Sequence, residues 1–203
     1  MTEPTQALEA LLTELTRRGS LLANFLEPGL PSEQVEARLV ELGADPHPDV
    51  IELYGWHNGF DRFRVPTSSN GIVSLVPSHV EFNPLEEAAE LFVNWRQRAE
   101  SAGATPVRDI DGVWRTVDPE EVWSRSWFPI FQGGGSEVIF IENRDHDAGS
   151  VWLHPIQDAP RRLYDSLADA IESVRQALVH GRLQLDSHGV FTFESYIASG
   201  LEI

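Results

Sequence analysis

The sequence contains no cysteine, and this absence excludes several kinds of chemistry. The chain can have no disulfide framework, no thiol nucleophile and no thiolate-ligated zinc site. No stretch of the chain approaches the roughly 20 apolar residues that a membrane-spanning helix needs. The first residues, MTEPTQ, have neither the basic region nor the apolar core of a signal peptide. We therefore expect a cytoplasmic protein.

Positive charge is scarce in this chain. Its 203 residues include 15 Lys and Arg against 32 Asp and Glu, so the formal net charge at pH 7 is -17. Nucleic acids and anionic membranes are bound through cationic surfaces, so we expect neither as a partner. An acidic protein is steered towards a basic protein partner, although many acidic proteins have no such partner.

Three short runs rich in β-branched and aromatic residues form the clearest pattern, at positions 126–132, 137–141 and 151–154. Turn-forming residues separate them: the triple glycine at 133–135 and then the segment 143–149. The pattern predicts a three-stranded antiparallel meander. Because the runs are almost continuously apolar, we expect other elements to cover both faces of this sheet.

Apolar residues at helical spacing predict the elements that cover the sheet. They occur at positions 7–15, 35–42, 85–95 and 163–178. Ser32 is the predicted N-cap of the second helix, and Ser166 or Asp165 that of the last. A short helix that starts at Pro48 or Asp49 is expected to end at Asn58-Gly59.

Other segments predict smaller features. Positions 71–76 and 190–193 are predicted strands, and 101–119 is either a hairpin around Asp111-Gly112 or an insertion. Together these patterns predict an α+β fold in which amphipathic helices flank a central antiparallel sheet. We expect a single domain over 1–203, with an N-terminal helix in 1–24, a core at about 25–180 and a C-terminal extension in 181–203.

Two segments, taken in order, resemble the SUKH superfamily, whose founding members include a fungal regulator of cell-wall assembly. The first is Leu30-Pro31 followed by 49–59, which is similar to the family's short helix ending in aromatic-x-Asn-Gly. The second runs from Trp127-Phe128-Pro129-Ile130 through the glycine turn and an acidic loop to Gly149-Ser150-Val151-Trp152 and the late helix. The resemblance covers about residues 25–180.

The resemblance implies a binding module that is not an enzyme. Bacterial members are often immunity proteins that bind and neutralise toxins, many of which are nucleases, and other members are intracellular regulatory adaptors. We therefore expect a non-catalytic immunity protein whose partner is a basic toxin domain, with a regulatory or scaffold adaptor as the alternative. The sequence does not fix an oligomeric state. The expected partner-binding residues, of which the acidic ones could mimic phosphates, are Trp56, His57, Asn58, Glu142, Asp145, Asp147 and Asp158.

A third hypothesis is a metal-dependent hydrolase. The spacing Asn143-x-Asp145-x-Asp147-x-Gly149 is that of oxygen ligands in a calcium loop. No predicted helix flanks it and no bidentate Glu follows, so we favour a hydrated hairpin tip. His57 has no neighbouring nucleophile and is interpreted as a partly buried structural residue. The glycine run precedes a strand and lacks the Lys of a phosphate loop. We expect no cofactor and no metal.

The tryptophans are predicted to occupy different environments. Trp127 and Trp152 lie within strongly apolar strands, so we favour the core for them. The alternative is that they are partly exposed anchors in a cleft, since tryptophan is enriched at interaction hot spots. Trp56 lies at the end of a helix beside a turn, so it is predicted to be more open and available as a contact residue.

Overall fold

The computed structural model describes residues 3–61, 67–68, 71–72, 74–76, 80–108, 113–133, 138–144, 147–154 and 160–192. The helices within these residues are α1 (Pro4–Arg17), α2 (Ser32–Leu42), α3 (Pro48–Trp56), α4 (Leu85–Ala102), α5 (Pro119–Val122) and α6 (Leu167–Val179). The strands are β1 (Leu26–Pro28), β2 (His57–Phe60), β3 (Thr67–Ser68), β4 (Gly71–Ile72), β5 (Val80–Phe82), β6 (Thr105–Arg108), β7 (Trp114–Val117), β8 (Trp127–Gly133), β9 (Val138–Glu142), β10 (Val151–His154) and β11 (Arg161–Tyr164). The fold is a single α+β domain, as predicted.

The central sheet has five antiparallel strands in the order β11-β10-β9-β8-β5. Its three middle strands are the predicted meander. The return from β9 to β10 is closed by two backbone hydrogen bonds, from Gly149 N–H to Glu142 O and from Glu142 N–H to Ser150 O. Residues 134–137, which include most of the glycine turn, lie outside the described residues. The edge strands β5 and β11 extend the predicted sheet on either side.

Alternating side chains of the sheet enter two separate apolar cores. Ile139 and Ile141 of β9 belong to the main core, and Val138 and Phe140 belong to a second, smaller core on the opposite face. Helices α1, α3 and α6 contribute to the main core, while α5 and part of α4 contribute to the second. The expectation that both faces of the sheet are covered is therefore confirmed for the face of the main core, whereas the second face is covered in part, since Trp127 and Trp152 on it are half-buried.

Helix α4 contributes to both cores because it presents two apolar stripes. The residues that enter the main core are Leu85, Ala88 and Phe92. Those that enter the second core are Leu91, Trp95 and Ala99. Within each set the residues are three or four apart, and the two sets lie side by side on one broad apolar side of the helix. Helix α4 therefore contributes side chains to the core on each face of the sheet.

The end of the short helix α3 differs from the prediction. The helix ends at Trp56, and Asn58-Gly59 lies in strand β2, which pairs with β1. Gly59 does have a positive φ of 76°, but a Cβ there would lie 2.6 Å from the carbonyl carbon of Asn83. Glycine is needed because the backbone of Asn83-Pro84, just before α4, packs directly against β2. The Asn-Gly pair therefore serves a tertiary contact and does not close the helix.

The other helix boundaries largely follow the sequence. Ser166 is the N-cap of α6, and its Oγ accepts a hydrogen bond from Asp169 N–H at 3.1 Å, as predicted. Leu163, however, lies in strand β11 and not in this helix. Ser32 is the first residue of α2, and the N-cap is Pro31. A one-residue shift of this kind is common at helix ends.

The smaller strand predictions have mixed outcomes. The hairpin within 101–119 is confirmed: β6 and β7 pair from Thr105↔Val117 to Arg108↔Trp114, and the tip lies outside the described residues. The predicted strand 71–76 is wrong in extent: among its described residues only Gly71–Ile72 is a strand, which pairs with β3, and 74–76 is not. Of the predicted strand 190–193, Phe191 forms an isolated antiparallel bridge with Leu185, and residue 193 lies outside the described residues.

Candidate functional site

A layer of aromatic rings covers the second face of the sheet. The ring of Phe140 lies between two tryptophans, 4.7 Å from Trp127 and 6.4 Å from Trp152 between centroids, with interplanar angles of 25° and 14°. The strands explain this order, because β8, β9 and β10 are neighbours and Phe140 is the direct cross-strand partner of Trp152. Three nearly parallel rings thus run across the middle of the sheet.

A more deeply buried group of rings supports this layer. Trp123 is only 1% exposed and stacks on Trp95 of α4, with centroids 5.5 Å apart. His154, which is also buried, lies 5.2 Å from Trp95 and 5.7 Å from Trp123. Its Nε2 lies 3.0 Å from the carbonyl oxygen of Val122, so this nitrogen is the protonated one. The buried rings hold the outer tryptophans in place.

A cleft of about 300 Å³ opens beside the outer rings. We call it the tryptophan cleft, since Trp127 and Trp152, both half-buried, form its aromatic wall. The charged side chains that line it are Arg115, Glu120, Glu121, Glu142 and Arg144. Among the described lining residues, three carboxylates and two guanidinium groups leave one net negative charge.

Two of the three carboxylates are paired with the two arginines. Glu121 lies 2.7 Å from Arg115, and Glu120 lies 3.1 Å from Arg144. The hydrogen bond from Arg115 lowers the pKa of Glu121. Partial burial acts to raise the pKa of Glu120, but hydrogen bonds from Ser124 and Arg125 and the charge of Arg144 outweigh it and lower that pKa. Both groups are therefore ionised and paired at neutral pH.

Glu142 differs from the other two carboxylates. Its Oε2 accepts a hydrogen bond from the indole N–H of Trp127 at 2.6 Å, and its Oε1 accepts one from the backbone N–H of Arg144 at 2.9 Å. Both donors are uncharged, and Glu142 forms no ion pair with any residue in the described part of the chain. The cleft therefore holds a fixed, half-buried carboxylate whose charge is not neutralised by a neighbouring described side chain.

The first three predicted contact residues lie at the junction of α3 and β2, and none of them lines the cleft. The indole N–H of Trp56 donates to Glu9 at 2.6 Å. His57 is half-buried, its Nδ1 lies 2.8 Å from the carbonyl oxygen of Glu27, and its ring meets Trp56 edge to face. Asn58 accepts a hydrogen bond from Leu85 N–H at the start of α4. The expected partial burial of His57 is confirmed.

The predicted acidic residues are only partly brought together. Glu142 lines the cleft, while Asp147 accepts a hydrogen bond from Arg162 at 3.1 Å. Asp145 and Asp158 lie outside the described residues. Asn143, the first residue of the calcium-like spacing, uses its amide to donate to the carbonyl oxygen of Asp45. Across the described ranges no group of three His, Asp or Glu side chains is placed to hold a metal ion.

Sequence reasoning missed most of the cleft. Trp127 and Trp152 are half-buried, because α4 and α5 cover only part of the second sheet face. This matches the alternative of partly exposed anchors and not the closed core that we favoured. Glu120, Glu121 and Trp123 fall in a segment to which the sequence gives no role. The available signal was the alternation along β10, where Trp152 and His154 are two residues apart, which places both rings on one face of the sheet.

Comparison of the chain with protein-family models gives no match, and comparison with curated proteins gives none either. The resemblance to the SUKH superfamily therefore stays a prediction. Within the described residues, no helix has both the length and the apolar character to cross a bilayer.

Proposed function

We propose that this protein is a non-catalytic binding module for another protein, and that its contact surface centres on the tryptophan cleft. The observation that carries the proposal is the pair of half-buried rings, Trp127 and Trp152, fixed in a nearly parallel layer inside a charged rim. Tryptophan is strongly enriched among the residues that dominate binding energy in protein interfaces. An aromatic centre with a polar rim is also the usual anatomy of such an interface.

The proposed partner is a basic toxin domain, which the protein neutralises as an immunity protein. Support comes from the resemblance to the SUKH superfamily and from the net charge of -17, which steers a basic partner towards this protein. The proposed place of this encounter is the cytoplasm. A regulatory adaptor of the same fold would use the same cleft, and the identity of its partner would distinguish it.

Affinity capture with the full chain tests the use of the cleft. The bait is the tagged protein in an extract of the cells that produce it, with Trp152→Ala and Trp114→Ala as matched variants. Trp114 lies on β7, is 64% exposed and does not line the cleft. We expect the wild type and Trp114→Ala to retain one specific partner and Trp152→Ala to lose at least about 90% of it. Equal capture by Trp152→Ala, with its fold verified by circular dichroism, would overturn the proposed contact surface.

The identity and activity of the captured protein test the immunity function. We expect that expressing this partner alone arrests growth and that co-expressing the present chain restores it. A harmless partner would contradict the immunity function and support the adaptor. We also expect the association rate to fall as the salt concentration rises from about 0.05 M to about 0.5 M, because the Debye length shortens. A rate that does not change with salt would remove electrostatic steering from the proposal.

A further inference from the structure

The geometry points to a specific occupant of the tryptophan cleft. We propose that the cleft receives one arginine side chain of the partner protein, whose guanidinium group binds the Glu142 carboxylate and packs against the indole of Trp127 or Trp152. This inference rests on the proposed function and deepens it, because it names the chemistry by which the partner is recognised.

The first support is the state of Glu142. Its two oxygens each accept one hydrogen bond, from Trp127 and from the backbone of Arg144. An ionised carboxylate offers about four lone-pair positions, so two remain for an incoming donor. The two existing hydrogen bonds fix the orientation of the carboxylate before any partner arrives. A preorganised acceptor of this kind loses little conformational freedom on binding.

The second support is the balance of charge around the cleft. Arg115 and Arg144 each form an ion pair with one glutamate. The charge of Glu142 is therefore not compensated by a described neighbour. An incoming cation completes the balance, whereas an incoming anion would have to displace a carboxylate from one of these arginines. A purely apolar side chain would bury the charge of Glu142 without a counter-charge, which is unfavourable.

The third support is the shape and composition of the cleft. Its volume of about 300 Å³ is at the lower end of the range for ligand pockets, so it suits one side chain better than a cofactor. Trp127 and Trp152 expose ring surface beside the carboxylate. The faces of indole rings attract cations, and the planar guanidinium group can lie flat on such a face. It can also form two parallel hydrogen bonds with a carboxylate, which a lysine ammonium group cannot.

The inference is tested on the free protein by nuclear magnetic resonance. A blocked Gly-Gly-Arg-Gly-Gly peptide is titrated while the indole N–H signals are followed, and the matched peptide carries citrulline, an uncharged analogue of arginine. We expect the arginine peptide to shift the signals of Trp127 and Trp152 in a saturable way. The signal of Trp56, which is held by Glu9 outside the cleft, should not move. The citrulline peptide is expected to bind at least about tenfold more weakly.

Two glutamine variants separate a defined site from general attraction to an acidic surface. Glu142→Gln removes the charge at the cleft, and Glu36→Gln removes the same charge from an exposed position on α2. We expect Glu142→Gln to weaken binding at least about tenfold and Glu36→Gln to leave it within about twofold. Equal shifts with both peptides, or equal binding by both variants, would overturn the inference. So would the absence of a saturable shift at Trp127 and Trp152.

This experiment does not depend on the partner, so its failure can be distinguished from failure of the proposed function. If the captured partner requires Trp152 but the arginine peptide does not bind, the cleft is a protein contact with a different occupant. If the peptide binds but Trp152→Ala still captures the partner, the cleft recognises arginine but the proposed contact surface is wrong.

Discussion

Trp127 and Glu142 are direct partners across strands β8 and β9, and the indole N–H of Trp127 donates a 2.6 Å hydrogen bond to the Glu142 carboxylate. Hydrogen bonds to charged acceptors stabilise proteins more than neutral ones do. The neighbouring Trp123 is the reverse case. Its ring lies 5.8 Å from that of Trp127, but its buried Nε1 has no hydrogen-bond partner in the described structure.

This contrast predicts an unusual order of stability for two matched variants. Trp127→Phe removes a charge-assisted hydrogen bond and should lower the free energy of unfolding by about 2 kcal/mol. Trp123→Phe leaves a small cavity but also removes an unsatisfied donor, so we expect a loss below about 1 kcal/mol although Trp123 is the more buried residue. Urea unfolding at pH 7 measures both values. A larger loss for Trp123→Phe would show that its buried N–H is not unfavourable.

A second pair of variants tests a close backbone contact. A Cβ on Gly29 would lie 2.7 Å from the carbonyl carbon of Gly55 and 2.9 Å from the carbonyl oxygen of Trp56. Because backbone atoms cannot move aside easily, Gly29→Ala should destabilise the protein by about 1–3 kcal/mol. At Gly55 the nearest atom to a Cβ is Leu30 O at 3.8 Å. Gly55→Ala should therefore stabilise α3 by up to about 1 kcal/mol.

Thermal unfolding of the two glycine variants provides the measurement. We expect the melting temperature of Gly29→Ala to fall and that of Gly55→Ala to stay unchanged or rise. If Gly29→Ala has the same melting temperature as the wild type, the contact between the segment before α2 and the end of α3 is looser than the structure shows.

A third prediction concerns pH and Glu52. Burial raises the pKa of Glu52, the charges of Glu3 and Asp49 raise it further, and hydrogen bonds from Thr5 only partly oppose this. One oxygen of Glu52, Oε2, is buried without a hydrogen-bond partner. The charged form is therefore unfavourable in the folded protein, and this destabilisation is present at neutral pH. It is released as the pH falls through the folded-state pKa towards the ordinary value of 4.5.

Glu52→Gln should consequently raise the free energy of unfolding at pH 7 by up to about 1 kcal/mol. The gain should shrink as the pH is lowered and be lost below about pH 4.5, where the wild-type side chain is itself neutral. The control is Glu36→Gln, which removes a charge from an exposed position on α2. Denaturant unfolding at several pH values tests this, and a destabilised Glu52→Gln at pH 7 would contradict it.

A fourth prediction concerns the link between β2 and α4. Asn58 Oδ1 accepts the backbone N–H of Leu85, the first residue of α4, at 2.8 Å. Asn58→Ala leaves this N–H unsatisfied and should lower the free energy of unfolding by about 1–2 kcal/mol. Asn58→Asp keeps the acceptor and places a negative charge at a helix N-terminus, so we expect a change within about 0.5 kcal/mol.

Amide hydrogen exchange at Leu85 checks the local effect of these variants. The amide should exchange faster in Asn58→Ala than in the wild type, and Asn58→Asp should restore its protection. Equal exchange rates in all three proteins would mean that this hydrogen bond does not hold the start of α4.

The middle of the fold could be predicted because burial leaves a periodic pattern in the sequence. The three apolar runs became β8, β9 and β10, and the strongest helical pattern became α6. The edge strands could not be predicted in this way. Strand β5 has three residues, and β11 begins with Arg161 and Arg162 and has no buried residue. Such short or polar segments become strands only because a neighbouring strand offers free backbone groups.

The site was less predictable because it depends on how far the helices cover the sheet. The sequence identifies Trp127 and Trp152 as strand residues, but their half-buried state follows from the reach of α4 and α5 over the second face. The pairing of Asn58 with Leu85 joins residues 27 positions apart. The charged rim combines Glu120 and Glu121 of helix α5 with Arg144 from the loop after β9. Contacts between residues so far apart in the chain leave no pattern in the local sequence.

Helix α4 has a mechanical consequence for the whole molecule. Its residues Phe92 and Trp95 are less than one turn apart, yet they anchor in opposite layers. Any motion that pulls Trp95 out of the aromatic layer must therefore also disturb the packing of Phe92 on the other side of the sheet. The two layers should therefore melt together as a single cooperative unit, and the packing behind Trp127 should be lost only when the whole domain unfolds.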